Sequence, residues 1–118
     1  LLARSSRKEK KNNNNNNNNA GESLTIVFAA TRHHCEYLHL LSKVQLPEVA
    51  STCIYGAMDQ GARTANLATF RSGKTPLLFV TDVAARGIDV PLVDLVVNYS
   101  FPPAPRLFVH RAGRAARQ

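Results

Sequence analysis

The chain has 118 residues, of which 15 are Lys or Arg and 8 are Asp or Glu, and its formal net charge is +7. This length allows one modest hydrophobic core, and the positive charge favours a polyanionic partner over an acidic surface. No apolar run approaches the ~20 residues of a membrane-spanning helix and no secretory signal is recognisable, so we expect a soluble, intracellular protein without membrane contacts.

The first 23 residues combine a cluster of basic residues with eight consecutive asparagines, Asn12 to Asn19. This segment has no apolar face that could offset the entropy of ordering it. We therefore predict that residues 1–23 are a disordered, basic and asparagine-rich segment. The basic residues from Arg7 to Lys11 fit a flexible linker better than a short nuclear-import patch.

From Leu24 onward, short apolar runs alternate with amphipathic stretches, which is the pattern of parallel strands covered by crossover helices. The predicted strands are residues 24–29, 52–55, 77–80 and 95–99. A first helix should follow Thr31, place Tyr37, Leu40, Leu41 and Val44 on one apolar face, and end before Pro47. A second should start at the N-cap Asp59 and run through Leu67 and Phe70 to Ser72-Gly73, and a final helix should carry Leu107 and Phe108.

Unusual polar residues follow each predicted strand. Thr31 and Arg32 follow the first strand, and residues 56–60, 81–89 and 98–100 follow the others. Ligands of open α/β sheets collect at the carboxyl ends of the strands, so these groups should share one edge. The alternative interpretation is that they are capping and turn residues.

Two segments have the chemistry of phosphate binding. The segment from Thr81 to Asp89 offers a hydroxyl and backbone amides at a predicted helix N-terminus, where anions bind. Its carboxylates, Asp82 and Asp89, could form ion pairs with arginines or accept a hydrogen bond from a ribose hydroxyl. The segment from His110 to Arg117 can bring several planar, permanently charged guanidinium groups to one point, although a solvated basic helix end would look the same.

Two weaker patterns carry no function. Gly73-Lys74-Thr75 resembles the end of a phosphate loop, but that motif requires glycine at Ala68, so we predict a solvated turn. Cys35 and His39, with His33 or His34, could contribute metal ligands, but ligands on one helix do not make a site without others. We predict no metal site, and Cys35 fits a small core residue equally well.

Four segments, taken in order, resemble motifs of the second RecA-like domain of DEAD-box ATP-dependent RNA helicases. Ile26 to Thr31 resembles motif IV, Gln60 to Arg63 the QxxR element, Thr81 to Asp89 motif V, and His110 to Arg117 motif VI. Motif VI departs from the family at Ala112, Ala115 and Ala116, which are small enough to keep the arginine geometry. The resemblance implies a RecA-like α/β fold of the P-loop NTPase type, with a parallel sheet and helices on both faces in three αβα layers. It also implies that residues 24–118 are the helicase C-terminal domain, truncated at both ends.

The resemblance implies a role for each matching residue. Arg114 and Arg117 would be catalytic, facing the γ-phosphate of ATP, with Arg117 resembling the arginine finger. ATP would also be bound by Gly87 and by Asp89, the latter at the ribose, whereas RNA would be contacted by Thr31, Arg63, Thr81 and Gly87. His110 and Arg111 would bridge to the N-terminal RecA-like domain of the same protein. That domain would make most of the contacts to ATP and Mg²⁺, because this chain contains no phosphate loop and no acidic tetrad.

The resemblance further implies RNA binding through phosphates and sugar hydroxyls, which is salt-sensitive and tolerant of sequence. We expect the isolated chain to hydrolyse no ATP. The alternatives are a non-catalytic RNA-binding or scaffold domain with a RecA-like fold, and a DNA-unwinding relative. The segment from His33 to Leu38 and residues 108–117 are similar to nucleolar helicases that assist assembly of the large ribosomal subunit. This implies a nuclear, nucleolar location and pre-ribosomal particles as partners.

Overall fold

The computed structural model describes residues 2–4 and 23–100, and within them it shows a five-stranded sheet with helices on both faces. The strands are β1 (Leu2–Arg4), β2 (Thr25–Ala29), β3 (Ser51–Ile54), β4 (Leu77–Thr81) and β5 (Leu95–Asn98), and the helices are α1 (Arg32–Gln45), α2 (Gln60–Arg71) and α3 (Asp82–Arg86). The disorder predicted for residues 5–22 and the final helix predicted around Leu107 and Phe108 lie outside the described residues.

The strand order is β1-β5-β2-β4-β3. The strands β5, β2, β4 and β3 run parallel, as predicted, whereas β1 pairs antiparallel with β5, with Leu2 opposite Val97. β1 falls within the segment that we expected to be disordered. Its pairing satisfies backbone groups that would otherwise form an open edge of β5.

The central strands β2 and β4 bury both of their faces, which explains their nearly continuous runs of apolar residues. On one face, Ile26 and Val80 belong to a core that includes Phe70 of α2 and Ala85 of α3. On the other face, Val27, Ala29 and Phe79 form a core with Cys35 of α1. Helices therefore cover both faces, and the predicted three-layer α/β architecture is confirmed.

The side of α1 that faces the sheet is not its most apolar side. The predicted stripe of Tyr37, Leu40, Leu41 and Val44 is exposed to solvent, with Val44 at 74% of its full accessibility. Cys35 and Ser42 are the buried residues of the helix, and Leu38 packs against the core between them. An amphipathic helix ordinarily turns its apolar face inward. Here hydrogen bonds allow a polar residue to be buried: the Ser42 hydroxyl lies 2.9 Å from the Ser51 hydroxyl and donates to the His39 carbonyl.

The predicted start and end of α2 are confirmed. Asp59 is its N-cap, and the carboxylate accepts hydrogen bonds from the Gly61 and Ala62 amides at 3.1 and 3.3 Å. The chain leaves the helix through Gly73, whose φ of 81° lies in the region that favours glycine. Ala68 is inside the helix and Lys74 is exposed, so Gly73-Lys74-Thr75 is the predicted turn and not a phosphate loop.

Candidate nucleic-acid interface

Two threonine hydroxyls mark the carboxyl edge of the sheet. Thr81 ends β4 opposite Ala29, the last residue of β2, and Thr31 follows Ala29 by two residues. Thr31 caps α1 and accepts a hydrogen bond from the His34 amide at 3.3 Å, while Thr81 caps α3 and accepts from the Ala84 amide at 3.4 Å. A hydroxyl that accepts a capping bond still has its own proton to donate. The edge therefore has two hydroxyl donors at the ends of adjacent strands, of which Thr31 is exposed and Thr81 is buried.

Arg63 lies at the same edge, in the first turn of α2 and one turn after the cap at Asp59. Its Nη2 atom donates to Gln60 Oε1 at 2.7 Å, which holds the guanidinium against the first residue of the QxxR element. Its Nε atom is buried and has no hydrogen-bond partner among the residues that the structure describes. A buried donor without an acceptor is unfavourable. The guanidinium has further N–H donors on its Nη atoms, and these donors suit an oxygen-rich ligand.

Gly87 ends α3 with a φ of −88°, a backbone conformation open to any residue. A Cβ atom added there would lie 3.7 Å from the Ala84 carbonyl, which is an ordinary contact. The fold therefore does not require glycine at this position. A glycine that the fold does not need is consistent with close approach of a ligand to the backbone.

The segment from Thr81 to Asp89 begins at the carboxyl edge but does not stay there. Asp89 lies against Arg71, the last residue of α2, with Arg71 Nη2 3.0 Å from Asp89 Oδ2. Because α2 starts after β3 and runs back across the sheet for about 18 Å, its last residue is far from its cap. Asp89 is thus on the α2 side of the domain, away from Thr31 and Thr81.

A cluster at the edge was not predicted from the sequence. The Arg32 guanidinium lies 4.8 Å from the centre of the Tyr55 ring, and Arg32 Nε is 3.3 Å from Glu36 Oε1. A hydrogen bond between Tyr55 and Glu36 lowers the pKa of the Glu36 carboxyl and raises the pKa of the Tyr55 phenol. The i,i+4 spacing of Arg32 and Glu36 was a signal that could have identified this pair.

The residues that follow β5 have a structural role. The Ser100 hydroxyl accepts a hydrogen bond from the Ala30 amide at 3.2 Å, and the Tyr99 amide donates to the Phe28 carbonyl at 3.0 Å. The Tyr99 ring also meets His34 edge to face, with 5.7 Å between the ring centres. For residues 98–100, the interpretation as turn and capping groups is therefore the better supported of the two.

Cys35 and His39, considered as metal ligands, face the sheet instead. Burial raises the pKa of the Cys35 thiol to about 12, which suits a small core residue. His39 Nδ1 lies 3.0 Å from the Ser51 hydroxyl. Within residues 2–4 and 23–100, no group of three or more His, Cys, Asp or Glu side chains is arranged to hold a metal ion.

The residues predicted from motif VI, namely His110, Arg111, Arg114 and Arg117, lie outside the described residues. Of the remaining predicted site residues, the structure brings Thr31, Arg63 and Thr81 to one edge of the sheet. Gly87 follows the short helix that begins at this edge. Asp89 lies apart from them, against the end of α2.

A sheet in which β5, β2, β4 and β3 run parallel, with helices on both faces and polar helix caps along one edge, is the architecture of an open α/β domain. A model of the family described as "Helicase conserved C-terminal domain" matches residues 8–118, and the chain belongs to that family. Its relatives and structural neighbours identify it as a C-terminal RecA-like domain of the DEAD-box type.

Two relatives illustrate the similarity. The chain is 52% identical over 99 residues to "DEAD-box ATP-dependent RNA helicase 29" of Oryza sativa subsp. indica, which covers 84% of this chain and 11% of the relative. It is 55% identical over 96 residues to "ATP-dependent RNA helicase DBP10" of Yarrowia lipolytica, covering 81% of this chain and 10% of the relative. The chain thus spans about a tenth of the length of the curated relatives it matches.

Solved structures agree with this assignment. The yeast DEAD-box splicing factor Prp28 matches with a TM-score of 0.75 and 30% identity, over 80% of this chain and 20% of Prp28. Mss116p DEAD-box helicase domain 2 bound to an RNA duplex matches with a TM-score of 0.70 and 30% identity, over 80% of this chain and 38% of that chain. In the part of this chain that the structure describes, no helix has the length and apolar character needed to span a membrane.

Proposed function

We propose that this chain is the second RecA-like domain of an ATP-dependent DEAD-box RNA helicase. In this proposal it binds the RNA backbone with Thr31, Arg63, Thr81 and Gly87. The observation that carries the proposal is the edge itself, where two capping hydroxyls at the ends of neighbouring strands lie together with an arginine whose guanidinium is held by Gln60. Each of these groups suits an oxygen of a phosphate or a sugar.

The chemistry of the edge favours RNA bound by its backbone. Hydroxyl and guanidinium donors recognise phosphate oxygens, and an accessible glycine backbone lets a strand approach closely. Binding of this kind is sensitive to salt and tolerant of base sequence. The structural similarity to a helicase domain that was solved with an RNA duplex supports the same choice of ligand.

ATP would be bound by a different part of the domain. By resemblance, Gly87 and Asp89 would contact the nucleotide, and Arg114 and Arg117 would stabilise charge on the transferring phosphoryl group. The N-terminal RecA-like domain of the same protein would supply the phosphate loop and the carboxylates that hold Mg²⁺. His110 and Arg111 would bridge to that domain. We therefore expect the isolated chain to bind RNA weakly and to hydrolyse no ATP.

The proposal is tested by RNA-stimulated ATPase activity of the full-length protein, comparing the unaltered protein with Arg117→Ala. Loss of an arginine finger should reduce turnover by about 10³ to 10⁵ with RNA affinity retained. Lys74→Ala, which removes a cation from the exposed turn after α2, should turn over like the parent. If neither the parent nor Arg117→Ala hydrolyses ATP, the non-catalytic RNA-binding scaffold becomes the better account. If Arg117→Ala hydrolyses ATP at the parent rate, the assignment of Arg117 as the arginine finger is wrong.

The cellular role that we propose is assembly of the large ribosomal subunit in the nucleolus, with pre-ribosomal particles as partners. The similarity to helicases named DBP10 supports this assignment. The full-length protein should co-sediment with large-subunit precursors in a sucrose gradient and should be found in the nucleolus. Migration only as free protein, together with exclusion from the nucleolus, would contradict this role.

A further inference from the structure

Arg71 and Asp89 are joined by two contacts although they are 18 positions apart in the chain. Arg71 Nη2 lies 3.0 Å from the carboxylate oxygen Oδ2 of Asp89, and the same nitrogen donates a hydrogen bond to the Asp89 carbonyl. One guanidinium therefore holds both the side chain and the backbone of this aspartate.

Both partners lie next to residues that are fixed in the core. Phe70, which precedes Arg71, is fully buried, and Val90, which follows Asp89, is 2% exposed. The carboxylate itself is directed outward, since the Asp89 side chain is 93% exposed. An exposed ion pair contributes little to stability. Its main physical effect at this position is to restrict the orientation of a carboxylate that would otherwise rotate freely in solvent.

We propose that Arg71 is a positioning residue that orients the Asp89 carboxylate toward the ribose hydroxyls of the bound nucleotide. The proposal rests on the function proposed above, in which Asp89 lies at the ribose. A carboxylate has about four acceptor positions, so the contact of Oδ2 with Arg71 leaves capacity for hydroxyl donors. The positive charge of Arg71 also reduces the repulsion between this carboxylate and the phosphates of the same nucleotide.

The experiment compares two nucleotides that differ only in the ribose hydroxyls. The equilibrium dissociation constants of the full-length protein are measured in the presence of single-stranded RNA. The two ligands are the beryllium fluoride complexes of ADP and of 2′,3′-dideoxy-ADP. The parent should bind the dideoxy complex about tenfold or more weakly, because hydrogen bonds to a charged acceptor are lost. In Arg71→Met the ratio of the two constants should fall to within about threefold, since the carboxylate is no longer held in place.

Four further variants make the result specific. Lys74→Met removes a cation three residues away in the exposed turn and should keep the ratio of the parent. Asp89→Asn should lower the ratio as Arg71→Met does, and the double variant should lower it no further. Arg71→Lys keeps the positive charge but loses the planar guanidinium, so its ratio should lie between those of the parent and Arg71→Met. If Arg71→Met does not fold, a parental ratio in Arg71→Lys overturns the positioning role.

Each other outcome contradicts a defined part of the account. The positioning role would be overturned if Arg71→Met kept the parent's ratio of the two dissociation constants. It would also be overturned if Arg71→Met bound both nucleotide complexes more weakly by the same factor. A parent that binds both complexes equally would remove Asp89 from the ribose and overturn the inference, while leaving nucleotide use intact. A full-length protein that binds neither complex would contradict the proposed function itself.

Discussion

Thr31 and Thr81 have the same structural role at the carboxyl ends of neighbouring parallel strands. Each follows or ends a central strand, each begins a helix, and each hydroxyl accepts a hydrogen bond from the amide three residues ahead, at 3.3 and 3.4 Å. Thr81 is buried whereas Thr31 is exposed. A hydroxyl that caps a helix keeps its own proton to donate, so the proposed binding of RNA is compatible with the capping role of both residues.

Replacement of Thr31 by Val should therefore weaken RNA binding by the full-length protein on the order of tenfold, because a hydrogen bond to a charged phosphate is lost. Loss of the cap should also lower stability by about 1 kcal/mol. Thr31→Ser should restore both properties. RNA affinity from fluorescence anisotropy and stability from thermal unfolding measure the two effects separately.

Asp59→Ala is the matched control for Thr31→Val. It removes the N-cap of α2 at the same edge and should cost a similar amount of stability. Because it also removes a negative charge, RNA affinity should stay the same or increase. Equal RNA affinities of Thr31→Val and Thr31→Ser would show that the hydroxyl is only a cap.

The glycines Gly87 and Gly73 should respond to alanine in opposite ways. Gly87→Ala should leave stability nearly unchanged, because its φ is −88° and the added Cβ meets only an ordinary contact, but it should weaken RNA binding several-fold. Gly73→Ala should lower stability by about 1–2 kcal/mol, because its φ is 81°, and should leave RNA affinity unchanged. Thermal unfolding and RNA titration of both variants provide the comparison. Normal RNA affinity in Gly87→Ala would remove this residue from the interface.

The order of strands and helices along the chain can be predicted from local patterns of apolar, polar and capping residues. The strand from Leu77 is predictable because its apolar residues are bounded by polar turns, and Asp59 is predictable because an acidic residue before a helical pattern is a common cap. Parallel strands place their carboxyl ends together, so the sequence alone assigns Thr31 and Thr81 to one edge of the sheet. The strand and the cap depend on residues close together in the chain, and the shared edge follows from the general rule for parallel strands.

The orientation of α1 could not be predicted in this way. Leu40 and Val44 belong to the more apolar stripe, yet Cys35 and Ser42 face the sheet. Two stripes with similar helical spacing compete. The stripe that faces the sheet contains Ser42, whose hydroxyl has a hydrogen-bonding partner in Ser51 on a separate strand. A hydropathy pattern gives no information about a hydrogen-bonding partner on another strand, so it does not predict that Ser42 is buried.

The contacts of Asp89 and Tyr55 also could not be predicted from the sequence. Asp89 meets Arg71 across 18 positions, and Tyr55 meets Arg32 from a different element. No fixed spacing relates either pair, since each depends on how a helix and a loop pack together. Such contacts follow from the tertiary arrangement and appear only in the structure.

Acid should destabilise the chain partly through His39. Burial, with a further contribution from Lys43, lowers the pKa of this imidazole below its ordinary value of 6.5. Its contribution to stability is therefore complete above about pH 6.5, and it is lost as the pH falls toward the pKa of the folded state, because the unfolded chain takes up the proton first. Thermal unfolding of the chain at pH 7.5 and pH 5 measures this loss.

His39→Gln should show a smaller loss of stability between pH 7.5 and pH 5 than the parent. His33→Gln, which changes an exposed histidine on the same helix, should behave like the parent. The same pH dependence in all three proteins would mean that His39 does not contribute to acid sensitivity.

The most direct test of the proposed RNA-binding edge is the salt dependence of RNA affinity. It is measured for the full-length protein and its Arg63→Gln variant, with Lys43→Gln as the control. Lys43 is an exposed cation in the last turn of α1, at the end opposite the cap Thr31. If Arg63 binds a phosphate, Arg63→Gln should bind about tenfold more weakly, and the slope of log affinity against log salt should fall by about 0.7 to 1. Lys43→Gln should match the parent. Equal slopes and affinities for the parent and Arg63→Gln would contradict the assignment of this edge to RNA.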